Sequence, residues 1–174
     1  RPRFHESLAA SDLFGAVALF EGEGMSVYEN VLTVQEHTGK GGASAREAVE
    51  KALEFAHLSD VAGSAVRTLP AKERRFIEVA RAVVGSPKVV MLDEPAAGLD
   101  DAESRELAHL IRRLADEWGM GVLLVEHDVG LVMSTCDRVV VLEFGQVIAS
   151  GTPREIRDDP AVKSAYLGQD ADDV

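Results

Sequence analysis

The stretch VVMLDEPAAGLD, residues 89–100, decides the fold of this chain. Its first four residues are apolar, which predicts a buried strand of a parallel sheet. Two acids, Asp93 and Glu94, follow the apolar run, and a Gly-Leu-Asp turn closes the stretch. Ligands of open α/β sheets bind beyond the carboxyl ends of the strands. A carboxylate there can hold Mg²⁺, and its neighbour can orient or deprotonate a water molecule.

Helical and extended patterns alternate along the rest of the chain. The pattern predicts helices over 25–34, 44–57, 72–85, 102–118 and 129–135, strands over the apolar run that begins at Val89 and over 121–127, and two strands around a Phe-Gly-Gln turn within 138–151. Ser26, with Glu29 three residues later, is expected to cap the helix at 25–34. A further helix is expected after Thr152 as its N-cap, with Pro153 at the first position and Glu155 in the first turn, and a last short helix ends at Gly168. Residues 13–20 predict either a short strand or a buried helix, and 39–42 predict a linker. Strands separated by helices favour an α/β layered sheet.

Composition limits the class of protein. The 174 residues are 46% hydrophobic, enough for one domain with a real core. The net charge of −12 argues against nonspecific binding of nucleic acid or anionic membranes, which needs a basic face. The single cysteine, Cys136, excludes an intrachain disulfide and favours a reducing compartment. Because no apolar stretch approaches the roughly 20 residues of a membrane span, a membrane role requires a partner. The chain begins RPRF rather than with Met, and we interpret it as a fragment or a processed piece.

The acidic stretch resembles the Walker B motif and D-loop of ATP-binding-cassette (ABC) ATPases. The resemblance implies that Asp93 binds Mg²⁺ through water and that Glu94 polarises the attacking water as the catalytic base. Gly98, Leu99 and Asp100 correspond to the D-loop, which in the family reaches the nucleotide site of a second subunit. Asp100 also predicts a helix N-cap with a capping box, because a glutamate stands three residues later.

His127 ends the next predicted strand, at 121–127. A lone histidine at a strand tip is more often structural than catalytic, but the switch histidine of ABC ATPases occupies this place. The resemblance implies that His127 contacts the γ-phosphate of ATP and the catalytic acid. One ring nitrogen of a histidine can donate to phosphate while the backbone holds the other.

A degenerate signature loop precedes the acidic stretch. The five residues that stand where the family has LSGGQ are Leu69, Pro70, Ala71, Lys72 and Glu73. Pro70 lacks both the serine hydroxyl and a backbone N–H. Ala71 and Lys72 replace glycines, which restricts close approach of the backbone to a phosphate. Lys72 can supply a compensating charge, which Glu73 offsets. The helix that follows matches the family through residues 78–82. Because the loop before it does not match, the resemblance implies a signature that binds a partner's nucleotide weakly or not at all.

The N-terminal stretch RPRFHES is similar to the arginine-x-phenylalanine-glutamine stretch that precedes the helical subdomain of the family. The resemblance places His5 at the position of the Q-loop glutamine, which senses Mg²⁺ and the transporter.

The resemblance runs from about Met25 to Gly168. The ending GTPREI…DPAVKSAYLG is similar to the ATPase subunits of branched-chain amino-acid importers, and relatives in lipopolysaccharide export and urea uptake share much of it. The implied fold is α/β, a P-loop-NTPase-like (RecA-like) parallel sheet that is incomplete, with a small helical subdomain. Residues 1–86 would form the N-terminal segment and helical subdomain, and 87–174 the C-terminal half of the ATPase core.

The phosphate loop of the family, G-x-x-x-x-G-K-[ST], does not occur in this sequence. In the family its strand lies between the strands expected at 121–127 and 138–144. The gap can be closed by residues 13–20, by direct pairing of the two edges, by another polypeptide, or by strand exchange between copies. We expect self-association or a further N-terminal segment. Since this loop supplies most nucleotide affinity, the isolated chain is expected to bind ATP weakly and to be inactive.

The sequence agrees with three functions. The first is a partial ATP-binding and hydrolysing subunit of an ABC importer, for branched-chain amino acids, with ATP and Mg²⁺ as cofactors. Its partners would be permease subunits, a second ATP-binding subunit and, indirectly, a solute-binding protein; nucleic acid is not expected. It would lie at the cytoplasmic face of the plasma membrane, held by a permease. The second is a noncatalytic or regulatory ABC-like subunit. The third is an ABC protein of the DNA-repair or translation-factor kind, which the acidic balance disfavours.

Overall fold

The computed structural model describes residues 14–16, 24–37 and 42–167. The chain divides into two compact units, Arg1–Val125 and Glu126–Val174. Four predicted features fall wholly or partly outside the described residues: His5, the element at 13–20, the linker at 39–42 and the helix end at Gly168. The predicted boundary at residue 86 separates helical subdomain from sheet, and it stays a prediction.

Three helices form most of the first half of the first unit. They are α1 (Val27–His37), α2 (Ala43–Phe55) and α3 (Ala71–Val83), with single 3₁₀ turns at Ser59–Val61 and Val66–Thr68. The predicted cap of α1 is confirmed: the Ser26 N–H donates to Glu29 Oε2 at 2.8 Å, and the Glu29 N–H donates to Ser26 Oγ at 3.2 Å. This reciprocal pairing satisfies donors that a helix start leaves open.

A three-stranded parallel sheet follows. Its strands are β1 (Phe14–Ala16), β2 (Val89–Asp93) and β3 (Gly121–Val125), in the order β1-β2-β3. Helix α4 (Asp101–Asp116) connects β2 to β3. The core of the unit includes Val90 and Leu92 of β2, which are almost fully buried, together with the apolar stripe of α4. The predicted parallel α/β arrangement is therefore confirmed.

Strand β1 pairs with β2 on the side opposite to β3. Phe14 lies beside Val89 and Ala16 beside Met91, while β3 occupies the other edge of β2. Residues 14–16 therefore form a strand rather than a helix, and they do not occupy the slot beyond β3 that the sequence allowed for them. Among the described residues of this unit, β3 is an edge strand.

One face of this sheet is apolar and exposed. Met91 of β2 is 43% exposed, and Leu123 and Val125 of β3 are 51% and 53% exposed. The apolar run predicted that β2 is buried on both faces, and for Met91 this prediction is wrong. Side chains alternate between the two faces of a sheet along a strand. The described helices of the unit cover only the face that carries Val90 and Leu92. Self-association, or coverage by a further segment, stays a prediction.

The second unit contains a β-hairpin flanked by short helices. Its elements are α5 (Val129–Thr135), β4 (Val139–Glu143), β5 (Gln146–Gly151), α6 (Pro153–Asp158), α7 (Pro160–Val162) and a π-helical turn over Lys163–Leu167. The predicted tight turn is confirmed. Phe144 and Gly145 both have positive φ, 47° and 78°, as a two-residue type I′ hairpin turn requires.

The predicted start of α6 is confirmed as well. The Thr152 N–H donates to Glu155 Oε2 at 2.7 Å, and the Glu155 N–H donates to Thr152 Oγ1 at 3.4 Å. Pro153 occupies the first turn, where no N–H is needed. None of the helices in the described parts of the chain is long and apolar enough to cross a membrane.

Candidate functional site

The two acids lie at the carboxyl end of β2, as predicted. Asp93 is the last residue of the strand and lies opposite Val125 of β3. Both Asp93 and Glu94 are exposed. Glu94 has a left-handed φ of 44°, and its N–H donates to the carbonyl oxygen of Val125 at 2.9 Å. The backbone thus stays anchored to β3 while it leaves the strand, and left-handed conformations of this kind are enriched at functional sites.

The loop after the acids is a compact series of turns. The N–H of Ala97 donates to the Glu94 carbonyl at 3.1 Å. Gly98 has a φ of 82°, which a residue with a side chain adopts only with strain. The side chain of Asp100 accepts from the N–H groups of Ala102 and Glu103 at 2.8 and 2.9 Å, and the Asp100 N–H donates to Glu103 Oε2 at 3.0 Å. The predicted capping box is confirmed, and half-buried Leu99 packs against the core within this loop.

The signature-like segment leads directly into α3. Half-buried Leu69 precedes Pro70, and Pro70 is the N-cap of the helix and offers no side-chain hydrogen bond to its first turn. The helix begins at Ala71, one residue before the predicted start. Glu73 has one carboxylate oxygen, Oε2, that is buried and has no hydrogen-bond partner among the described residues. Because Pro70, Ala71 and Lys72 stand at the start of this helix, it lacks the hydroxyl and the glycines of the family signature.

Lys72 pairs with its own chain. Its Nζ lies 2.5 Å from Oε2 of Glu106 on α4 and 5.6 Å from the ring centroid of Phe76. The hydrogen bond with Glu106 raises the pKa of Lys72, against a smaller opposing effect of burial. The ammonium group is thus directed toward α4.

Arg75 connects α3 to the loop that follows the acids. Its Nη1 donates to Glu78 Oε2 at 2.8 Å, and its Nη2 donates to the carbonyl oxygen of Ala97 at 3.2 Å. No local pattern in the sequence indicates this role of Arg75, because the contact joins residues 22 positions apart.

In the second unit, His127 lies in a turn rather than on a strand. Strand β3 ends at Val125, so the predicted end of the strand at residue 127 is wrong. The His127 N–H donates to Glu126 Oε2 at 3.1 Å, and its side chain is 73% exposed. Asp128 caps α5, since its carboxylate accepts from the Leu131 N–H at 3.0 Å.

The exposed acids at the tip of β2 have the chemistry of Mg²⁺ ligands. Mg²⁺ keeps several waters and takes one or two carboxylates, and exposed Asp93 suits that role. Within the described residues there is no group of three or more His, Cys, Asp or Glu side chains that could hold a metal ion. The residues present do not form a phosphate-binding loop, because the sequence contains no glycine-rich loop followed by the lysine that such a loop requires.

Known proteins resemble this chain in sequence. The family described as branched-chain amino acid ATP-binding cassette transporter matches residues 146–172. BraF, the high-affinity branched-chain amino acid transport ATP-binding protein of Pseudomonas aeruginosa, is 46% identical over 129 residues, 72% of this chain and 51% of BraF. The lipopolysaccharide export system ATP-binding protein LptB of Acidithiobacillus ferridurans is 39% identical over 144 residues, 83% of this chain and 59% of LptB.

The fold also has solved counterparts. The ADP conformation of an ATP-binding cassette of an ABC transporter is similar, with a TM-score of 0.74 and 25% identity, over 90% of this chain and 68% of that one. The chain spans about half to three-fifths of the length of BraF and LptB. By its fold and its sequence, this chain belongs to the ATP-binding-cassette ATPases and resembles the ATP-binding proteins of branched-chain amino acid transporters.

Proposed function

We propose that this chain is part of the ATP-binding subunit of an ABC importer, and that the whole protein couples ATP hydrolysis to transport. The observation that carries the proposal is the pair of exposed acids at the tip of β2, with Glu94 anchored to Val125 through its backbone N–H. In a parallel sheet this tip is the place for a ligand and its metal.

Each acid has a separate role in this proposal. Asp93 holds Mg²⁺ through water, and Glu94 polarises the water that attacks the γ-phosphate. His127 contacts the γ-phosphate, and its large exposed fraction leaves the ring accessible to a ligand. His5, at the Q-loop position, senses the metal and the permease. ATP and Mg²⁺ are the cofactors, and Mg²⁺ supplies charge neutralisation of the phosphates when it is bound.

A second subunit completes the proposed site. Gly98, Leu99 and Asp100 approach the nucleotide of the second ATP-binding subunit, and Leu69, Pro70, Ala71, Lys72 and Glu73 face the same nucleotide. The pairing of Lys72 with Glu106 means that this segment contributes little to phosphate binding.

Branched-chain amino acids are the proposed cargo. The match of residues 146–172 to the branched-chain family and the identity to BraF support this cargo. The similarity to LptB makes lipopolysaccharide the competing candidate. The proposed partners are permease subunits and, indirectly, a solute-binding protein, and the proposed location is the cytoplasmic face of the plasma membrane.

A noncatalytic, regulatory ABC subunit is the second candidate. Two observations favour it: Pro70 caps α3 without a side-chain hydrogen bond, and Lys72 is engaged by Glu106. Such a subunit would keep its dimer and permease contacts without turning over ATP.

Nucleotide binding with and without a phosphate loop separates these candidates. We would measure Mg-ATP affinity by calorimetry for the 174-residue chain and for the same chain preceded by a strand and a phosphate loop of the family pattern G-x-x-x-x-G-K-[ST]. The proposal expects weak or no binding for the first and clear binding with hydrolysis for the second. Binding without hydrolysis in the second supports the regulatory candidate, and hydrolysis by the 174-residue chain itself contradicts the account.

A further inference from the structure

A buried carboxylate adjoins the exposed histidine. The side chain of Glu126 is 1% exposed, whereas that of His127 is 73% exposed. Burying a carboxylate is costly unless it accepts hydrogen bonds. The position of Glu126 therefore calls for a structural or functional reason, and the roles proposed above do not use it.

The carboxylate holds the backbone of the turn. Glu126 Oε2 accepts the N–H of His127 at 3.1 Å and that of Asp128 at 3.4 Å. Bonds from an N–H to an ionised acceptor are stronger than neutral ones. Asp128 in turn caps α5 through Leu131. Two carboxylates thus fix the turn at 126–128: Glu126 accepts the N–H groups of the turn itself, and Asp128 accepts an N–H group of α5.

The same oxygen faces the imidazole ring. His127 Nδ1 lies 3.7 Å from Glu126 Oε2, which is beyond hydrogen-bond length but within reach of a charge interaction. A carboxylate beside one ring nitrogen favours a proton on that nitrogen and orients the ring. When both nitrogens carry protons both are donors, so Nε2 can donate to a phosphate while Nδ1 faces Glu126.

We propose that Glu126 is a positioning residue for His127: it fixes the turn that carries the histidine and turns Nδ1 toward itself and Nε2 away. This proposal rests on the proposed function in one respect: it takes the ligand that Nε2 contacts to be a nucleotide phosphate. Glu126 acts through His127 and is not assigned contact with the reacting atoms.

NMR of the 174-residue chain tests this directly, with the variants Glu126→Ala, Glu126→Gln and the control Glu143→Gln at an exposed carboxylate of the same unit. One readout is amide hydrogen exchange at His127 and Asp128. The other is the share of the neutral ring protonated on Nδ1, from ring ¹⁵N shifts, with exposed His109 as the internal reference.

Glu126→Ala should accelerate exchange of both amides by about tenfold or more, the factor for one lost charge-assisted bond. Glu126→Gln keeps an acceptor oxygen, so exchange changes less. In this variant the Nδ1–H to Nε2–H ratio of the neutral His127 ring should fall by about two- to fivefold toward that of His109, because Nδ1 then faces a neutral amide instead of a carboxylate. Glu143→Gln should change neither readout.

Unchanged exchange in Glu126→Ala, or an unchanged tautomer ratio in Glu126→Gln, overturns the positioning role. If the alanine variant does not fold, the glutamine variant decides through the ring signals. Neither readout involves nucleotide, so the inference and the proposed function fail separately. If Mg-ATP leaves the His127 signals unmoved in the chain carrying a phosphate loop, the proposed function fails while the positioning role stands.

Discussion

Lys72 on α3 and Glu106 on α4 form an ion pair whose Nζ and Oε2 atoms are 2.5 Å apart. Lys72 stands where the family signature has a glycine, so the one cation of this segment is engaged within its own chain. The contact ties the start of α3 to the helix that follows the acidic strand tip. It therefore favours a structural use of the degenerate signature.

Lys72→Met should lower the free energy of unfolding by about 0.2–1 kcal/mol, because both partners are partly exposed and such pairs contribute little. Urea unfolding measures this, and exposed Lys88→Met is the matched control. The Mg-ATP affinity of the chain carrying a phosphate loop should not change. A large loss of ATP affinity with unchanged stability would contradict the account, since it would place the ammonium on the nucleotide.

Arg75→Met should loosen the loop after the acids, because Arg75 donates to the Ala97 carbonyl. We expect a loss of about 1 kcal/mol in stability and faster amide exchange at Ala97 and Leu99, whose N–H groups bond within this loop. Arg74→Met, at an exposed neighbour on the same helix, is the control. Equal exchange in the two variants would show that the link does not order the loop.

Gly98→Ala should cost about 1–2 kcal/mol, the penalty of a left-handed conformation for a residue with a Cβ. A Cβ at Gly98 meets no atom within 4 Å, so the cost comes from the backbone φ of 82° alone. Gly63→Ala, also in open space and without a positive φ, is the control in thermal unfolding. If both variants are equally stable, the loop conformation described above is wrong.

The cap of α6 should make stability depend on acid pH. Hydrogen bonds from Thr152, first from its backbone N–H, lower the pKa of Glu155. A lowered folded-state pKa gives stability that is present above the unfolded value of about 4.3 and is lost as pH falls through the folded value. Glu155→Gln should remove this part of the pH dependence in unfolding curves recorded between neutral and acid pH. If the stability of Glu155→Gln depends on pH in the same way as that of the parent chain, the cap does not contribute to the acid dependence.

Local features were predictable from the sequence. The three capping boxes at Ser26, Asp100 and Thr152 involve residues three apart, and the type I′ turn at 144–145 depends on two residues. The parallel pairing of β2 and β3 followed from the helix between them. The acids at the tip of β2 were found for the same reason, since they adjoin the strong apolar run.

Features that depend on distant pairing were not predictable. The placement of β1 beside β2 is set by sheet order, and the Lys72–Glu106 and Arg75–Ala97 contacts cross between elements. Strand β3 ends where its partner ends, since Val125 pairs with the last residue of β2, and beyond it the Glu126 side chain accepts the N–H groups of the next two residues. A side chain that competes for the backbone in this way leaves no trace in the apolar pattern.

Mg-ATP hydrolysis by the chain carrying a phosphate-loop segment, compared with that of its Glu94→Gln variant, shows whether the acid at the tip of β2 acts in catalysis. Asp101→Asn, at an exposed acid on the first turn of α4, serves as the control. The account predicts that Glu94→Gln lowers kcat by about 10²- to 10⁴-fold, as the loss of a general base does, with ATP still bound. Hydrolysis that is the same in the parent, Glu94→Gln and Asp101→Asn would contradict it.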